Sequence, residues 1–263
     1  MQYSEFKPSA AASSLIKCFW VLEDEAPADS VQTIIPDGRP ELIIHLGQPF
    51  AQKRNGSWHQ QPQIFFIGQI TGPFLVCPAG LVRTIGVRFR PEGASKLLRL
   101  PMFELTNLAV PLENISTRLW REIESLFECD SLARQLKRLE QILLIASEQT
   151  DADQLVSFAV KELEVVKGLI SVGELARQVN LSARQFERRF RQAVGIPPKL
   201  FARMQRFQSV LQTIEQTGPT WVDAAVGSGY YDQSHLIRDF REFSGTTPSA
   251  LLAENFDLTR RFS

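Results

Sequence analysis

The chain has 263 residues, 44% hydrophobic and 22% charged, with 29 Lys and Arg against 29 Asp and Glu. That length and composition suit two ordinary globular domains and exclude disordered and collagen-like classes. No apolar run nears the ~18 residues of a membrane span, and the start Met1-Gln2-Tyr3-Ser4-Glu5 lacks both regions of a signal peptide. Cys18, Cys77 and Cys129 are too scattered for a disulfide framework or a CxxC-type zinc site. A cytoplasmic protein with no membrane partner is expected.

The first ~110 residues read as short strands between turn signals. Gln32-Thr33-Ile34-Ile35 runs into Pro36-Asp37-Gly38, and Glu41-Leu42-Ile43-Ile44-His45-Leu46 follows before Gly47. Ile64-Phe65-Phe66-Ile67 stops at Gly68, Phe74-Leu75-Val76-Cys77 stops at Pro78, and Thr84–Phe89 alternates until Pro91. Closely spaced short strands predict an antiparallel barrel or sandwich, with a short helix over Gly93–Arg99.

From Leu112 the period becomes helical. Leu132, Leu136, Leu139 and Leu143 recur at spacings of 4, 3 and 4, a coiled-coil seam. The seam fits two arrangements: a homodimer through the N-terminal half, or packing onto the chain's own barrel. Gln149-Thr150-Asp151-Ala152-Asp153 is a polar break, taken as the boundary between domains 1–150 and 151–263.

Ser171-Val172-Gly173-Glu174 reads as a capping box, with Ile170 and Leu175 as its hydrophobic staple. Ser182-Ala183-Arg184-Gln185 is a second box, stapled by Leu181 and Phe186. Two helices so close must cross steeply, as in a helix-turn-helix. On the second helix Phe186, Phe190 and Val194 form the inward face, Arg184, Gln185, Arg188, Arg189 and Arg191 lie elsewhere, and Gly195 closes it. Arginine suits a guanine edge and Gln an adenine edge in the major groove.

The pattern returns fifty residues later. Thr220-Trp221-Val222-Asp223 copies the first cap, and Asp232 caps a helix with Tyr231 and Leu236 as staple. Arg188 matches Arg238, Phe190 matches Phe240, Arg191 matches Arg241, Gly195 matches Gly245 and Pro198 matches Pro248. A repeat that keeps cap, core aromatic, arginine and terminating glycine outweighs either copy alone. Between the copies, a helix begun by Pro197-Pro198 carries Leu200, Met204, Phe207, Leu211 and Ile214 on one face and acts as a rigid spacer. The fold class is therefore α+β multidomain: an N-terminal antiparallel β barrel or sandwich with helices, and a C-terminal all-α domain with two helix-turn-helix units. Charge agrees, since residues 171–211 hold eight Lys and Arg against two Glu, a net of +6 that suits a surface facing a polyanion.

Residues ~155–255 resemble the DNA-binding domain of the AraC/XylS family of transcription regulators, whose motifs take up about 100 residues here. The resemblance rests on Glu174-Leu175-Ala176, Ser182–Phe190, Gly229–Phe240 and the closing Gly245-Thr246-Thr247-Pro248-Ser249. It implies two units in successive major grooves of a duplex operator, with contacts from Arg184, Gln185 and Arg188 in the first and Gln233, Ser234, His235 and Arg238 in the second. The resemblance also places Glu187 at a base-contacting position, where its carboxylate either accepts from cytosine or faces solvent. Ser182, Arg189, Arg191 and Arg241 join the candidate DNA-binding set, and Arg206 on the spacer helix can touch phosphate. Asp239 lies beside the same face.

The N-terminal half resembles the β-rich sensing domain of such regulators, through Pro36-Asp37-Gly38, Glu41–Gly47 and Gly86–Ala94, in a subgroup whose effector is unassigned. This implies a small-molecule effector, with RNA polymerase as a further partner. Glu41, His45 and Arg88 are candidate effector-binding residues, as polar groups on strands. His45, His59 and His235 show no metal-ligand spacing, and neither a GxSxG nor a phosphate-binding glycine loop is present, so no metal, cofactor or catalytic residue is expected. The competing reading is a barrel enzyme or small-molecule-binding protein that carries the helical domain for protein interaction.

Overall fold

Period-two patterning becomes sheet wherever one face can be buried. The computed structural model describes residues 2–25, 31–148, 153–217, 227–230 and 232–253. Within them, a six-stranded sheet runs β1-β2-β9-β4-β7-β10 and a four-stranded sheet runs β3-β8-β5-β6. The larger comprises β1 (Gln2–Phe6), β2 (Ile16–Asp24), β9 (Val82–Phe89), β4 (Glu41–His45), β7 (Ile64–Ile67) and β10 (Ala109–Pro111). The smaller comprises β3 (Gln32–Ile34), β8 (Phe74–Cys77), β5 (Ala51–Arg54) and β6 (Ser57–Gln60). All pairings are antiparallel.

The two faces of the larger sheet feed two different cores. Phe19, Val21, Leu42, Ile44, Phe66, Ile85 and Val87 point toward the helices, whereas Trp20, Leu22, Ile43 and Phe65 point toward the smaller sheet. The result is a sandwich-like pair of sheets with helices on the outer face. Gly86 is required where it stands, because a Cβ there would lie 1.9 Å from the Trp20 ring.

The outer helices are α1 (Ser95–Leu98), α2 (Leu112–Ile115), α3 (Thr117–Glu124) and α4 (Leu132–Ser147). Helix α4 carries the leucine seam. Leu139 and Leu143 are fully buried in the domain's own core, and Leu132 and Leu136 pack against it. Of the two arrangements the seam allowed, Leu139 and Leu143 take the second, packing onto the chain's own domain.

The C-terminal part contains α5 (Gln154–Val165), α6 (Val172–Gln178), α7 (Ala183–Val194), α8 (Pro198–Thr217), α9 (Gln233–Ser244) and α10 (Pro248–Ala253). They share one apolar core, with one residue from the β-rich half, Ile35. The expected break at 149–152, the cap copy at Thr220–Asp223 and the staple residue Tyr231 lie outside the described residues. No helix among the described residues is long and apolar enough to cross a membrane.

Candidate DNA interface and ligand cavity

Each reading helix is fixed at both ends by its own sequence. Ser182 Oγ accepts from the Gln185 backbone amide at 3.3 Å, and Gln185 Oε1 accepts from the Ser182 amide at 3.1 Å and its hydroxyl at 2.8 Å. Asp232 Oδ1 accepts from the His235 amide at 2.8 Å. Both α7 and α9 run 12 residues and end at glycines, Gly195 and Gly245. At Ser171 only half of the expected box forms: the hydroxyl accepts from the Glu174 amide at 3.1 Å, but the Glu174 carboxylate turns to Arg177 and Gln178.

The spacer helix holds both units. Phe190 meets Phe201 at 5.7 Å between centroids, while Phe207 meets Phe240 at 4.8 Å and Phe243 at 5.2 Å. Phe201 and Phe207 lie six residues apart on α8, about 9 Å along its axis. Aromatic contacts at these distances add packing specificity to the area they bury. Polar contacts lock the second unit further. Asp239, only 5% exposed, takes Arg203 at 2.6 Å and the Tyr230 hydroxyl at 2.9 Å, and Arg203 also reaches Glu242 at 2.5 Å. Asp239 therefore faces α8 and not the surface where DNA would lie.

The predicted DNA-binding residues divide into two groups. Arg184, Arg188, Arg238 and Arg241 are exposed and, among the described residues, make no ion pair or side-chain hydrogen bond. Ser182, Gln185, Glu187, Gln233, Ser234 and His235 are exposed beside them, with Ser182 and Gln185 bonded to each other and His235 Nδ1 3.3 Å from Asp232. Arg189, Arg191 and Arg206 are committed elsewhere. Arg189 Nε bonds at 2.7 Å to Asp153, whose other oxygen caps α5. Arg206 donates to the Gly168 carbonyl at 2.8 Å, and Arg191 lies 4.8 Å over the Phe103 ring. The net charge of +6 also overstates the field, since Asp153, Asp239 and Glu242 lie outside the counted window.

A cavity of about 90 Å³ lies between the two sheets, and Glu41, His45 and Arg88 all line it. Register explains this: Glu41 pairs with Arg88, and His45 with Thr84, across β4 and β9. Glu41 Oε1 accepts from Arg88 Nε at 2.8 Å and from Trp20 Nε1 at 3.2 Å, while Asp37 stands 3.5 Å and Glu5 3.8 Å from the same guanidinium. Burial raises the Glu41 carboxyl above its ordinary range, and Arg88 opposes that rise. His45 bonds Thr84 at 2.9 Å and Gln61 at 3.0 Å and stacks on Phe50. Burial lowers its pKa to about 4, so it is neutral near pH 7.

Sequence reasoning missed the loop that joins this cavity to the helices. Ile34, Ile35, Asp37 and Arg39 line the cavity from one side. From the other, Pro36 O accepts from Gln208 Nε2 of α8 at 2.6 Å, Arg39 pairs with Glu164 of α5 at 2.6 Å, and Gly38 abuts Phe201. A second wall segment behaves alike: Ile70 and Phe74 face the cavity, while a Cβ on Gly245 would lie 3.2 Å from Pro73. The Thr106 hydroxyl donates to Gly195 O at 2.8 Å. Pro36-Asp37-Gly38 signalled a turn, but nothing local signalled what the turn would touch.

Residues 175–254 match the family model of a helix-turn-helix domain, and residues 4–111 match a domain of unknown function, DUF6597. Comparison with curated proteins gives no match. Among solved structures, ToxT from Vibrio cholerae is similar at TM-score 0.48 and 11% identity, covering 89% of this chain and 98% of that one. ToxT with bound unsaturated fatty acid gives 0.44 at 11% identity, over 89% and 94%. The AraC-like transcriptional activator CuxR gives 0.28 at 10% identity, over 74% and 76%.

Proposed function

We propose that this chain, an AraC-type helix-turn-helix protein by its C-terminal part, is a transcription regulator that reads two successive blocks of duplex DNA under control of a small molecule held between its sheets. The match of residues 175–254 to a helix-turn-helix domain supports this reading over the enzyme alternative. In this reading residues 1–150 sense, residues 151–263 bind DNA, RNA polymerase is the downstream partner, and the protein works in the cytoplasm.

The observation that carries the DNA reading is the repeat in three dimensions. Two helices of equal length, capped at Ser182 and Asp232, each put an exposed arginine at the same place, Arg188 and Arg238. Arg184 and Arg241 add to the charge they present. Arg189 and Arg206 leave the proposed set, because each already holds the fold together.

Control by a ligand is supported by the 34–39 loop, which belongs at once to the cavity wall and to the helical core. The joint is also under-bonded. Arg39 Nε, Gln69 Oε1, Gln205 Nε2 and Gln208 Oε1 are buried there without partners, four of the six such atoms among the described residues. Unsatisfied buried groups are costly, so this seam is where rearrangement meets least resistance.

Fluorescence anisotropy of the full chain on labelled duplex tests the first half. Four exposed arginines on the two reading helices should give log K against log salt a slope of roughly −4, at about −0.9 per phosphate neutralised. A flat salt response would defeat the DNA reading. For the second half, a ligand of the cavity must change operator affinity, and operator must change ligand affinity by the same factor.

A further inference from the structure

We propose that the cavity selects a small uncharged molecule, and rejects amines and carboxylates of the same size. The inference rests on the effector reading above and names the ligand class for that site.

Charge decides the class. Two acidic and two basic side chains line the cavity, Asp37 and Glu41 with Arg39 and Arg88. Each already has its counter-ion: Arg88 lies against Glu41 and Asp37, and Arg39 against Glu164 at 2.6 Å. His45 adds no charge near pH 7 and uses both ring nitrogens on Thr84 and Gln61. An ion entering this space would leave water and find no uncommitted partner, which makes its burial unfavourable. The remaining wall is apolar and aromatic, including Trp20, Phe50, Phe65 and Phe74.

Size sets the last limit. An apolar cavity of about 150 Å³ holds benzene, and this one is about 90 Å³. A ligand of about four heavy atoms fits without enlarging it.

The test uses the full chain and three probes of four heavy atoms each: propan-2-one, propylammonium and acetate. Binding is read from the Trp20 indole N–H in ¹⁵N-correlated spectra, since that group bonds Glu41 at the cavity wall. The ketone should bind saturably, at least tenfold tighter than either ion, and should be lost in Val76→Phe, which fills the cavity. Ile67→Phe, nearer the rim, serves if that variant does not fold. An ion that binds as tightly as the ketone, and is lost on filling the cavity, overturns the neutral-ligand assignment while leaving the effector reading standing. Saturable ketone binding that leaves operator affinity unchanged does the reverse. No binding by any of the three overturns the assignment.

Discussion

Gly38→Ala probes the joint between cavity and helices, and Gly56→Ala is its internal control. Both glycines have positive φ, +80° and +83°, a region that costs an L-residue about 1–2 kcal/mol. They differ in what a Cβ meets. At Gly56, in the β5–β6 hairpin, nothing lies within 4 Å. At Gly38 the Cβ would stand 2.8 Å from Phe201 Cε2 and 3.1 Å from Gln205 Nε2. Phe201 is fully buried and packed edge-on against Phe190, so its ring has little room to yield. Overpacking of this kind costs about 1–3 kcal/mol more. Urea titration of both variants should therefore show Gly38→Ala less stable than Gly56→Ala by that margin. The substitution does not touch the reading arginines, so anisotropy should show DNA binding retained with its response to a cavity ligand weakened. Equal destabilisation by the two variants, within about 0.5 kcal/mol, would mean that the 34–39 loop is not docked on α8.

Asp239→Ala should destabilise the protein by about 3 kcal/mol, the low end for breaking a buried ion pair, because Glu242 still meets Arg203. Urea titration checks this, and a change under 0.5 kcal/mol would place Asp239 on the surface after all. His45 predicts an acid limb. Unfolded, it takes a proton below 6.5, but folded only near 4, so stability present above pH 6.5 is lost as pH falls toward 4. That loss amounts to about 3 kcal/mol, and the difference between wild type and His45→Gln isolates it; parallel pH profiles would contradict a buried neutral His45.

Legibility followed burial. Strands β4, β7, β8 and β9 were visible because apolar and polar positions alternate or because turn residues bracket a short apolar run. Strand β2 was not, since Cys18–Leu22 is buried on both faces and shows no period. The exposed β5–β6 hairpin offered only its turn, Asn55-Gly56, with positive φ at both residues, a signal left unused. Glu41, His45 and Arg88 could be placed on one face from strand period alone, whereas Asp37 and Arg39 join them through a loop whose path depends on α5 and α8. The leucine seam shows the limit of spacing, because 4-3-4 fits a partner helix and a domain core equally. Charge counting failed for the same kind of reason. Arg189 and Arg203 are each neutralised by a carboxylate 36 residues away, a distance at which sequence carries no pairing rule.

The most direct test of the two-reader account is randomised-site selection with wild type, Arg188→Ala and Arg238→Ala. Two reading helices on one rigid spacer should recover two sequence blocks about one helical turn apart, roughly 10 bp. Losing an arginine that holds guanine costs about 1–3 kcal/mol at that position. The account predicts that Arg188→Ala blurs one block and Arg238→Ala the other, each leaving its neighbour intact. Uniform weakening across all positions in both variants would contradict it and leave only a basic surface that holds phosphate.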